Sequence, residues 1–203
     1  MKVTYLDHMG KDLSVVNAAR VSFGKKSYRL ADGDERLINY LAKHKHISPF
    51  GHCFASFHIK APIFVARQLV KHKFLRWNEI SRRYVSDEPE FYNPPIWRGK
   101  SADKKQGSEG EVNPEYNPQY LDPKIKHAYQ LALEAGIAPE QARMLLPQST
   151  MTEWYWSGSL DAFAEMCRLR CKEDTQYETR VIAEELSGIM LGLFPISWKA
   201  LTN

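Results

Sequence analysis

Three cysteines in 203 residues, Cys53, Cys167 and Cys171, are too few for a disulfide framework. Their number is odd and no CxxC pair occurs, so a reducing compartment is expected. No apolar run approaches the ~20 residues that a bilayer requires. The opening MKVTYLDHMG lacks the apolar centre of a secretory signal. A soluble chain in the cytoplasm is expected (or in a host cytoplasm for a virus-encoded one), with no membrane partner. A GxGxxG turn is also missing, so a Rossmann-type dinucleotide site is unsupported. Charge of one sign is scarce too: 28 Lys and Arg against 24 Asp and Glu leave +4. A protein that coats nucleic acid usually carries a steeper imbalance.

What is present is ordinary in bulk and uneven in place. With 43% apolar and 26% charged residues, the chain can bury a real core. Helical periodicity runs through LSVVNAARVSF (13–23) and DERLINYLAKHKH (34–46). The second has Asp34 as its expected N-cap and Leu37, Tyr40 and Leu41 on one face. CFASFHIK (53–60) alternates at period two and reads as a strand. Pro62 then opens a helix whose inward face is expected to be Ile63, Ala66, Leu69 and Val70. Residues 86–124 hold six of the eleven prolines and read as one long loop, the kind that is generally functional or mobile. Helices follow at 123–136, 139–146, 159–171 and 174–194, with a strand at 149–157 and a stop before Pro195. No repeat or linker divides the chain. The expected class is α+β, a single domain over 1–203 with a β-sheet flanked by helices and a helical bundle portion.

The positive charge concentrates in KHKFLRWNEISRRY (71–84), where five of fourteen residues are Lys or Arg. A nucleic-acid backbone, an acidic partner or a small phosphorylated ligand would each suit that charge. Asn78 and Glu79 in its middle argue for a site that reads polar groups as well. Gln68, Lys71 and His72 share one helical face leading into the run. A solvated helix end with cations at the negative dipole terminus would look similar. It would not explain Ser81 and Arg83, which suit a phosphate, or Glu79, which suits a sugar hydroxyl or base N–H.

Lys71-His72-Lys73, seven residues and Ser81 resemble the signature of flavin-dependent thymidylate synthases, an Arg-His-Arg followed after seven residues by Ser. NAARVSF (17–23), HISPFGH (46–52), FHIKAPIFVARQ (57–68), NEISRRY (78–84) and ARMLLP (142–147) resemble that family in its order. LRCKEDTQYETR (169–180) does so more loosely. The resemblance implies the family's fold and the reductive methylation of dUMP to dTMP. FAD would be the cofactor, NADPH its reductant and methylenetetrahydrofolate the carbon donor. It also implies a homotetramer with shared sites. By position, Ser22, His46, Ser48, Lys71, His72, Lys73, Glu79, Ser159 and Glu165 would contact the flavin, His46 alternatively the folate. Gln68, Lys71, Glu79, Ser81, Arg82, Arg83 and Arg143 would hold dUMP, its phosphate on Ser81, Arg83 and Arg143. Arg170 would activate the uracil ring.

Such chemistry needs no nucleophilic cysteine, and Cys53, Cys167 and Cys171 read as small buried apolar residues. The histidines 44, 46, 52 and 58 lack partners at a familiar ligand spacing, so no metal is expected. Trp77 is the tryptophan expected to face a planar ligand. Lysine replaces arginine at positions 71 and 73, which keeps the charge and loses the planar fork. Arg76 would then share the phosphate grip, and Asp174 would pair with Arg170 at i+4 spacing or dilute the local positive field. Asp161 stands where relatives often carry arginine. Two other readings remain: folate-dependent hydroxymethylation of a pyrimidine nucleotide on the same scaffold, and a basic nucleic-acid-binding module.

Overall fold

The computed structural model describes residues 1–102 and 107–203. Its centre is a four-stranded antiparallel sheet in the order β1-β2-β6-β3, formed by Lys2–Met9, Phe54–Pro62, Met151–Ser159 and Leu75–Glu79. The two central strands carry the alternation that builds a one-sided sheet. Ala55, Phe57, Ile59 and Ala61 of β2 turn inward, and Phe57 pairs with Trp156 and Ile59 with Trp154 across to β6. Phe163 closes the aromatic layer edge-on to both Phe57 and Trp156 at 5.3 Å. Gly158 marks a close approach: a Cβ there would sit 2.4 Å from a Leu75 methyl and 3.1 Å from the Phe74 carbonyl.

The helices are α1 (Asp12–Arg20), α2 (Asp34–Lys43), α3 (Ile63–Leu69), α4 (Asp122–Glu134), α5 (Pro139–Ala142), α6 (Leu160–Arg170), α7 (Tyr177–Leu193) and α8 (Pro195–Thr202). α1, α2, α3, α6, α7 and α8 share the main core with the sheet, and the class is α+β. α4 and α5 enclose a small second cluster of Tyr129, Ala132 and Ala142. Buried Asp12 ties the ends of the chain together. Its two oxygens accept from Ile196 N at 3.0 Å and Ser197 N at 2.9 Å, satisfying orphan donors at the start of α8.

Several local expectations change. Asp34 is not an N-cap. Gly33 holds that position, and Asp34 is buried against Arg20 and the Ala31 amide. On α2, Ile38 and Leu41 are buried and Tyr40 faces outward. On α3 the inward residues are Val65, Ala66 and Leu69, while Val70 is 48% exposed beyond the helix end. The 86–124 segment contains a two-stranded hairpin, β4 (Trp97–Lys100) with β5 (Ser108–Val112). β1 and β3 escaped the sequence reading, as did α8, which begins at the proline that ends α7.

Candidate active site

The basic run does not form one face. It leaves α3, turns at Phe74, whose φ of 63° lies in the left-handed region, and becomes β3. Its cations are thereby divided between different surfaces, which argues against a continuous nucleic-acid stripe.

The first surface is a cleft of about 780 Å³ between the end of α3, the last residue of α6 and the hairpin. Gln68, Lys71 and Arg170 line it together. Arg170 is held from behind: its Nε donates to His72 Nε2 at 3.0 Å and its Nη2 to the Gln68 carbonyl at 3.2 Å. His72 must therefore be neutral with its proton on Nδ1. Burial, then the neighbouring Arg170 charge, pulls its pKa from 6.5 to about 4, which agrees with the geometry. Burial also lowers the Arg170 pKa from its usual value. Asp174 is exposed and forms no ion pair with Arg170 among the described residues, so His72 and Gln68 do the positioning expected of it.

A second cleft, of about 410 Å³, gathers Glu79, Ser81, Arg82, Arg83 and Arg143. Ser81 Oγ accepts from both the amide and Nε of Arg83 at 3.3 Å, and Arg83 lies over the Tyr84 ring. Arg82 donates to the Asp87 carbonyl and Arg143 Nε to the Glu140 carbonyl, which leaves terminal nitrogens for a ligand. Glu79 accepts from Thr152 Oγ1 at 2.6 Å and Trp77 Nε1 at 3.0 Å. Each of its oxygens retains a further acceptor site. Trp77 itself stacks on Trp154 at 4.3 Å and packs against the core. It is a structural residue rather than a ligand platform.

The remaining positions scatter. Glu165 lines a third cleft, of about 630 Å³, with Lys43, Lys45, Asp161 and Arg168. His46 is exposed within a ring cluster with Tyr40 and His44, and Ser48 begins a short 3₁₀ turn nearby. Ser22 is exposed on the 3₁₀ turn after α1, whereas Ser159 is buried where β6 meets α6. Lys71 and Lys73 are exposed, and no carboxylate pairs with either among the described residues. Unpaired cations on a turn are a donor set that fits an anionic cofactor.

The cysteines lie apart from the first two clefts. Burial, then Asp12, pushes the Cys53 thiol up to about 11. Cys167 Sγ donates to the Ala183 carbonyl at 3.6 Å. Its closeness to Cys171, then burial, raises the Cys167 pKa, the same closeness lowers that of Cys171, and both line a separate small pocket. Sequence reasoning missed Arg98, Gln176 and Glu178 in the first cleft. The only signal for the last two was their place in LRCKEDTQYETR.

The chain matches the family described as "Thymidylate synthase complementing protein" over residues 4–196. It is 40% identical over 202 residues to a flavin-dependent thymidylate synthase of Thermus thermophilus, covering 98% of this chain and 74% of the relative. To the enzyme of the same description from Wolbachia pipientis wMel it is 37% identical over 206 residues, covering 98% and 72%. Among solved structures it resembles the UMP/dUMP methylase PolB from Streptomyces cacaoi bound with 5-Br dUMP. That match has TM-score 0.85 and 30% identity over 99% of this chain and 94% of the other.

Proposed function

The chain belongs to the flavin-dependent thymidylate synthase family, and from that premise we propose that it methylates dUMP to dTMP as a single domain over 1–203. FAD is the cofactor, NADPH the reductant and methylenetetrahydrofolate the carbon donor. The observation that carries the reading is the clamped Arg170. Its guanidinium is fixed by His72 and Gln68 at the edge of a cleft large enough for a nucleotide base and sugar. Methylation at C5 of uracil requires electron density there, and a preorganised cation facing a ring carbonyl stabilises the charge that develops. When bound, reduced FAD supplies the hydride that completes the methyl group. This chain's residues bind and polarise.

The phosphate falls to Ser81, Arg83 and Arg143 by the same reading, through hydroxyl and guanidinium donors. Glu79 accepts from the sugar hydroxyl. Lys71 and Lys73 supply positive charge to the flavin's anionic part, with His72 between them turned inward to Arg170. The base-binding and phosphate-binding groups line different clefts of one chain. The reading therefore includes a homotetramer in which one chain's Ser81, Arg83 and Arg143 complete another's Gln68, Lys71 and Arg170. No helix among the described residues is long and apolar enough to cross a membrane.

The test of function is product analysis with dUMP, methylenetetrahydrofolate and NADPH. dTMP is expected, and a 5-hydroxymethyl product would transfer the assignment to hydroxymethylation. Shared sites are tested by mixing Arg83→Ala with Arg170→Ala under conditions that exchange subunits. Each variant alone is expected to be inactive at low dUMP, and the mixture to recover measurable activity. No recovery despite demonstrated exchange would refute the shared site.

A further inference from the structure

Glu178, on the first turn of α7, is 3% exposed, and both its oxygens are engaged. Oε1 accepts from Arg98 Nη2 of β4, and Oε2 from Gln176 Nε2 at 3.2 Å. Arg98 is fixed in turn: its Nε donates to Ser108 Oγ of β5 at 2.9 Å, and its guanidinium lies over the Tyr177 ring at 4.5 Å. A carboxylate paired with a guanidinium only accepts. Gln176 must therefore turn its NH2 toward Glu178 and its carbonyl the other way. That carbonyl accepts from Gln68 Nε2 at 2.5 Å. Flipping either amide would set carbonyl against carboxylate or carbonyl against carbonyl, so the chemistry of the chain settles an orientation that is usually ambiguous. Among the described residues none takes up Gln68 Oε1, and Gln68 lines the first cleft.

We propose that Arg98, Glu178 and Gln176 are positioning residues that fix Gln68 as a hydrogen-bond acceptor and thereby select uracil over cytosine. The inference rests on the nucleotide reading above and adds to it how the base is chosen. A uracil ring presents an N–H between its two carbonyls, whereas cytosine presents a lone pair at the same ring nitrogen. Against Gln68 Oε1 the first makes a hydrogen bond and the second sets two acceptors face to face. Arg170 beside it donates to the adjacent ring carbonyl, so the pair reads a donor and an acceptor together. The outward carbonyl also assigns Gln68 to the base rather than the phosphate, because it would repel an anion. Phe64 and Trp97 supply apolar walls suited to a ring. The Pro-rich segment, through Arg98 and Ser108, then acts on specificity while touching the base only indirectly.

Calorimetric titration of the FAD-loaded protein with dUMP and with dCMP tests the relay. The native chain is expected to bind dUMP at least about tenfold more tightly, equal to ~1.4 kcal/mol. In Arg98→Met the Glu178 carboxylate loses the guanidinium that holds it in place, and in Gln176→Leu the link to it is cut. In both the Gln68 amide is less constrained, and the preference is expected to fall to about threefold or less. Arg98→Lys keeps a cation beside Glu178 and is expected to keep most of the preference, a rescue that mere packing would not produce. Gln176 is half-buried outside the core, so its variant decides the matter if Arg98→Met does not fold. An unchanged ratio in folded Gln176→Leu overturns the relay while leaving dUMP as substrate. A native protein that binds neither nucleotide overturns both readings.

Discussion

Replacing Arg170 separates the two halves of the proposed reaction. Its guanidinium has five N–H donors, of which one goes to His72 and one to the Gln68 carbonyl. Three remain, including one on each terminal nitrogen, enough for a forked grip on a ring carbonyl. Removing a single donor aimed at developing charge in a shielded site costs about 2.7–4 kcal/mol, or roughly 10²–10³ in rate. Arg170→Ala is therefore expected to lower dTMP formation by at least about two orders of magnitude. Reduction of bound flavin by NADPH does not require a polarised uracil and is expected to persist.

Arg170→Lys keeps a charge but cannot serve His72, Gln68 and the ring at once, so less than about tenfold of the loss should return. Truncation also leaves His72 Nε2 and the Gln68 carbonyl without a partner. An unfolding curve for each variant controls for that cost, at most about 1–3 kcal/mol per group before water replaces part of it. The assay pairs anaerobic flavin bleaching with dTMP quantification on one preparation. A normal dTMP yield from Arg170→Ala refutes the role given to this residue. Loss of bleaching in a folded, FAD-bound variant would assign the arginine to the flavin instead.

Restoring arginine at Lys71 and Lys73 together should tighten FAD retention through forked contacts, measured as flavin kept through gel filtration, and equal or weaker retention in a folded variant refutes this. Asp12→Ala should lower stability by about 2–4 kcal/mol, because a buried and a part-buried amide at the start of α8 lose their acceptors. A urea midpoint within error of the native one would remove the tie. His72 should make stability depend on pH. Its folded pKa of about 4 lies below its ordinary 6.5, so the unfolded chain binds the extra proton, and the contribution is complete above 6.5 and lost as pH falls toward 4. The urea midpoint should fall across that window, and less steeply in His72→Gln, which keeps an acceptor and does not titrate. Equal slopes would exclude His72 as the source.

The two central strands of the sheet were legible because β2 and β6 alternate, with Phe57, Ile59, Trp154 and Trp156 at period two. β3 hid inside the basic run. Leu75 and Trp77 turn inward at the same period, but the intervening Arg76 and Asn78 read as charge and polarity before they read as a strand. β1 is an edge strand with a bulge between Tyr5 and Asp7, and only Val3 is buried, so almost no alternation reaches the sequence. α8 was lost because its cap is Asp12, over 180 residues away. Proximity of that kind has no local signature. The hairpin in 86–124 is held by Arg98 reaching Glu178, again a long-range pair between two unremarked residues.

The departures at positions 71, 73 and 76 take on a different weight in three dimensions. The expectation for Arg76 is that its extra charge takes over part of the phosphate grip lost where Lys71 and Lys73 replace arginine. Arg76 occupies the outward, exposed face of β3, opposite Leu75 and Trp77, and lines neither the cleft of Lys71 and Arg170 nor that of Ser81, Arg83 and Arg143. Lys71 and Lys73, by contrast, flank His72 on the turn after α3, so their charge stays beside the residue that anchors Arg170. On the proposed reading a lysine there retains the field offered to the flavin, and the clamp on Arg170 does not involve it. Lys71 also lines the cleft of Gln68 and Arg170, so on the proposed reading the change at 71 touches the substrate side as well as cofactor grip, while the clamp itself is made by His72, Gln68 and Arg170.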